Sequence, residues 1–133
     1  MSIEFPLKEE ITPYGPLLTP LIRLSMSTIY GWQDGWFILD TGADFSTLPE
    51  SMAPLLGVDL RGCAKEPVVG IEGHRISARV GSVTLLFGKE ACVVRCHFLK
   101  SEKTPYLLGR MDIFSRFDIH FYNKNRKILF SHH

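Results

Sequence analysis

Apolar and polar residues alternate along much of the chain. Phe117, Ile119 and Phe121 interleave with Asp118, His120 and Tyr122, a period of two that predicts a half-buried strand. Val83, Leu85 and Phe87 interleave in the same way with Ser82, Thr84 and Leu86. Residues 21–30, 91–99 and 127–130 read as further strands, and Asn123-Lys124-Asn125 supplies the turn into the last of them. Trp36-Phe37-Ile38-Leu39 is wholly apolar, which suggests a strand buried on both faces. Gln33-Asp34-Gly35, just before it, offers hairpin-turn chemistry. Residues 68–79 predict strand, turn and strand, with Gly70 and Gly73 in the bend. Two short helices are expected. One follows Pro49, carries Met52, Leu55 and Leu56, and stops at Gly57; the other spans 110–115. No internal repeat is evident.

Pro6, Pro13, Pro16 and Pro20 mark the first twenty residues as an extended arm, poorly suited to a central strand because proline cannot donate to the ladder. The expectation is therefore an arm over 1–20 and one domain over 21–133. That domain should be mainly β, closed and barrel-like, with one or two short helices.

Composition narrows the functional classes. Apolar residues make up 45% of the 133 and charged residues 22%, a globular balance. Lys and Arg number 15 against 14 Asp and Glu, which gives no electrostatic reason to expect a nucleic-acid or membrane partner. Lys124, Arg126 and Lys127 read as a solvated turn. Residues 1–10 are acidic and have no continuous apolar core, so no secretory signal is read there and a cytoplasmic location is expected. Cys63, Cys92 and Cys96 are odd in number. On one strand, Cys92 and Cys96 would face the same way about 13 Å apart, too far for a disulfide or one zinc. His97 would point to the opposite face. Buried thiols are the better reading, and no metal or other cofactor is expected. The five histidines form no site that the sequence alone reveals, and the closing His132-His133 is given no role.

The chemistry concentrates in Phe37-Ile38-Leu39-Asp40-Thr41-Gly42-Ala43-Asp44. A carboxylate directly after a buried apolar strand is costly to desolvate. By itself Asp-Thr-Gly is also ordinary turn chemistry. Two other segments shift the balance. Leu107-Leu108-Gly109-Arg110 places two apolar residues before Gly and Arg, and Val69-Gly70-Ile71-Glu72-Gly73 is a glycine-rich bend between the two. In this order the three segments resemble the active-site loop, flap and second signature of the retropepsin-like aspartic proteases, the family of the retroviral enzymes. The resemblance runs over about 21–130. No serine-nucleophile elbow, metalloprotease helix or phosphate loop competes with it.

The resemblance implies that Asp40 is catalytic and that Thr41 locks two such loops together. Gly42 would leave its N–H free for the carboxylate, Asp44 and Arg110 would buttress the loop as an ion pair, and Ala43 would support it. Ala43 lacks the hydroxyl found at the matching position of pepsin-like enzymes, so activity is expected from mildly acidic to near-neutral pH. Gly70, Ile71, Glu72 and Gly73 would form the flap, and Leu48, Ile71 and Leu107 would line side-chain pockets. Glu72 departs from the more glycine-rich retroviral flap. Asp-Thr-Gly occurs once, whereas pepsin-like chains carry two such loops, so a homodimer acting on a peptide or protein substrate is implied. The alternative is a catalytically silent module of the same fold that binds peptides or assembles partners.

Overall fold

Strands make up nearly all the regular structure, as the alternation predicts. The computed structural model describes residues 2–69 and 73–133. The N-terminal arm holds β1 (Ser2–Pro6), β2 (Lys8–Thr12) and β3 (Gly15–Thr19). There follow β4 (Leu21–Thr28), β5 (Gly31–Leu39), β6 (Ser46–Pro49), β7 (Ala64–Val69), β8 (Arg75–Phe87) and β9 (Glu90–Leu99). The chain ends with β10 (Leu107–Leu108), β11 (Phe117–Tyr122) and β12 (Lys127–His132). The main sheet runs β4-β5-β10-β6-β9-β8-β7, and a further β4–β8 pairing joins it back on itself. A second sheet, β1-β12-β11, ties the two ends of the chain together, and β2-β3 is a separate hairpin. β1 is an outer strand of its sheet, and Pro67 lies on the outermost strand of the main sheet, where a missing N–H costs little.

The core lies between these layers. Phe37, Leu39, Leu48, Leu85, Phe87, Val94, Phe98 and Leu108 from the main sheet meet Phe5, Phe117, Ile128 and Phe130 from the terminal one. Cys92 and Cys96 face this core as free thiols, and burial pushes the Cys96 thiol up to about 12, which keeps it protonated.

Four local expectations are corrected. The hairpin between β4 and β5 turns at residues 28–31, not at Gln33-Asp34-Gly35. Thr28 closes the turn: its Oγ1 donates to Gly31 O (2.7 Å) and accepts from the Tyr30 N–H (3.1 Å), while Gly31 takes a positive φ of 102°. Asp34 is left mid-strand, accepting from Ser25 Oγ (2.6 Å) and pairing with Arg23. Secondly, β5 is not buried on both faces. Phe37 and Leu39 enter the core, but Trp36 and Ile38 stay 47% and 37% exposed.

Neither expected helix is α-helical. Near the first, Glu50–Met52 and Leu60–Gly62 form short 3-10 turns instead. Pro54 has no N–H to give Glu50, and the chain continues through turns to Gly57 at φ 70°. In 110–115 the turn after Arg110 is interrupted by Asp112 at φ 67°, a left-handed conformation that no helix carries. Finally, the two strands expected near 75–79 and 82–87 are one continuous β8. Among the described residues no helix is long and apolar enough to cross a membrane.

Candidate active site

Asp40 follows β5, half-buried at the point where the strand leaves the sheet. Its own N–H donates to Leu108 O (2.9 Å), extending the parallel β5–β10 ladder by one residue. The chain then reverses. Ala43 N–H returns to Asp40 O (3.2 Å), and Gly42 N–H donates to the carboxylate at Oδ1 (2.9 Å). A Cβ on Gly42 would lie 3.3 Å from that same oxygen, so glycine lets the amide come close. Thr41 is exposed at the tip.

The second signature fastens this loop from behind. Arg110 N–H donates to Ala43 O (2.9 Å), and Met111 N–H donates to Asp44 O (2.8 Å). Gly109 N–H donates to the buried Ser46 Oγ (3.0 Å). Asp44 and Arg110 form an ion pair, as the resemblance implied, but with side chains 76% and 46% exposed. The structure therefore brings Asp40, Gly42, Ala43, Asp44, Leu107 and Arg110 into one unit. Of the expected flap, Gly73 is exposed at φ 76° before β8, while Gly70, Ile71 and Glu72 lie outside the described residues.

One pocket expectation is corrected. Leu48 is 1% exposed and belongs to the core. The alternation of β6 turns Leu48 inward and leaves its neighbour Thr47 toward the loop. Thr47 lines a cleft of about 460 Å³ together with 42–45, Glu66–Val69 and His97. It runs between the Asp40 loop and β7.

Phe45, Ser46 and Glu66 belong to no motif legible in the sequence, and His97, which the sequence alone assigns to no site, joins them here. The rings of Phe45 and His97 stack with centroids 4.2 Å apart. His97 is 7% exposed, and its Nε2 lies 3.6 Å from Glu66 Oε2, without a hydrogen bond. The available signal was the histidine's place on β9, opposite the face of Cys92 and Cys96. Among the described residues no group of three or more His, Cys, Asp or Glu side chains is placed to hold a metal ion.

Comparison with known proteins decides the family. The family model described as "Aspartyl protease" matches residues 26–111, about two thirds of the chain, including both the Asp40 loop and Arg110. The chain belongs to the aspartyl protease family. It also has the retropepsin-like fold: the crystal structure of a retropepsin-like aspartic protease from Rickettsia conorii superposes with a TM-score of 0.66. The alignment covers 98% of this chain and 89% of that one, at 16% sequence identity. No curated protein matches the sequence.

Proposed function

We propose that the protein is an aspartic endopeptidase that hydrolyses extended polypeptides with two Asp40 carboxylates, one from each subunit of a homodimer. The observation that carries this reading is the Asp40 loop: a half-buried carboxylate receives the Gly42 amide and is fastened by backbone hydrogen bonds to the segment around Gly109. Such fixing costs no reorganisation when charge moves during reaction.

The proposed chemistry needs an acid and a base together, and Asp-Thr-Gly supplies one carboxyl per chain. Two brought together by a two-fold axis would not both ionise easily, so the pair would hold a single proton. The ionised member takes a proton from water, and the protonated member donates to the scissile carbonyl. Water attacks directly, and the pair as a whole, not either residue, sets the pH dependence. Thr41 at the exposed tip would lock the two loops across the axis, Ala43 and the Asp44–Arg110 pair would support each loop, and the bend at 70–73 would cover the substrate. Leu107 would contribute to the floor.

Asp40→Asn is the test. The variant should keep its far-ultraviolet circular dichroism and its peptide binding, and should cut no member of a peptide library that the wild type cuts. Turnover near that of the wild type would refute the assignment. Peptide binding without cleavage by the wild type at any pH from 4 to 8 would mark a silent module.

A further inference from the structure

Alternation along β9 leaves His97 in an unusual place. Ala91, Val93 and Arg95 share its face of the strand and are exposed. His97 is covered instead, by the Phe45 ring and by Glu66 of β7. Its Nε2 is buried without a hydrogen bond, and the nearest carboxylate oxygen stands at 3.6 Å. Native proteins pair nearly all their buried polar atoms, so an unpaired one asks for a role. His97 is one of the residues lining the cleft that the Asp40 loop borders, and that cleft is large enough for a side chain. The Glu66 side chain beside it is 46% exposed, so the subsite requires Glu66 to turn toward solvent and uncover the ring nitrogen.

We propose that His97 and Glu66 form a subsite for a carboxamide side chain, Asn or Gln, of the bound peptide. This rests on the peptidase reading and adds a substrate class to it. An apolar side chain would leave both polar groups unpaired. A carboxylate would meet Glu66 and Asp44, both acidic. A carboxamide fits because it offers donors and an acceptor together. Its N–H₂ donates to Glu66. Its oxygen then accepts from Nε2–H, or its second N–H donates to Nε2 in the other tautomer. An ammonium, having donors only, would suit one tautomer alone.

The experiment uses the full chain and a peptide library varied at one position at a time. Cleavage is measured with the wild type and binding with Asp40→Asn. At one position, Asn or Gln should exceed Leu about tenfold, the worth of one good hydrogen bond. His97→Leu should abolish that preference at that position alone. Glu66→Ala, at a partly exposed site less critical for folding, should reduce it severalfold. An unchanged preference in both variants would overturn the subsite, as would a wild type that favours Leu or Lys there or binds no such peptide. Selective binding through His97 without any cleavage would keep the subsite and refute the peptidase reading.

Discussion

A Cβ at position 109 would stand 2.5 Å from the carbonyl carbon and oxygen of Phe45 and 2.9 Å from Ala43 O. Those atoms are backbone and cannot swing away. Gly109→Ala should therefore push the two signatures apart, costing about 1–3 kcal/mol in urea unfolding and lowering peptide cleavage with it. A variant as stable as the wild type would show that the loop yields easily. Asp112 carries a second test. Arg95 donates to it from its backbone N–H (2.8 Å), Nε (3.0 Å) and Nη2 (2.9 Å), and these bonds hold the carboxyl below its ordinary range. A lowered folded value means the stabilisation is present at neutral pH and fades as pH falls through that value. Asp112→Asn, which tolerates the left-handed backbone, should cost about 1 kcal/mol at pH 7, discounted because Arg95 is half-exposed. The difference from the wild type should vanish in strong acid; a gap independent of pH would exclude the charge as its source. The exposed Asp44–Arg110 pair, by contrast, is worth at most about 1 kcal/mol. Asp40 and Arg110 were legible in the sequence because each sits in a contiguous motif. Phe45, Glu66 and His97 come from three separate strands or their edges, and no local pattern joins them.

Strand existence was legible, and turn position was not. Gln33-Asp34-Gly35 has the right residue types, but Thr28 closes the chain earlier with its own hydroxyl. Thr12 does the same for β2 and β3, donating to Gly15 O (2.7 Å) and accepting from the Tyr14 N–H (3.1 Å). The shared pattern Thr-x-Tyr-Gly thus recurs sixteen residues apart, too short a repeat to read without the hydrogen bonds. Proline density marked the arm as extended without revealing its partner, because pairing with the far end of the chain leaves no local trace. The register from Ser2↔Ser131 to Pro6↔Lys127 fixes β1 against β12. Phe5 packs edge-on against Phe130, with centroids 5.2 Å apart, inside the core. Phe5→Ala should cost about 3 kcal/mol through the cavity it leaves. Thermal unfolding checks this, and an unchanged midpoint would mean that β1 adds nothing to the domain.

The whole molecule raises the question of copy number. Asp-Thr-Gly occurs once in 133 residues, so a single chain supplies one carboxylate where the proposed chemistry needs two. Mass action then makes a quantitative demand. Far below the dissociation constant of the dimer, dimer concentration falls as the square of total chain, so activity per chain should fall in proportion to enzyme concentration. Sedimentation over the same range should show the monomer appearing where activity is lost. Dilution alone could also reflect loss of protein to surfaces, and mixing removes that ambiguity. Asp40→Asn chains keep the dimerising surface but bring only one ionisable carboxyl to a mixed pair. Added in equal amount to wild type, above the dissociation constant and with free exchange, they place about half of the wild-type chains in mixed dimers. Activity per wild-type chain should then drop to about half, and should keep falling as the variant is added in excess. An inert protein of the same size in place of the variant should leave activity untouched. If activity per wild-type chain instead holds constant through both dilution and mixing, each chain works alone, and the shared Asp40 pair is wrong.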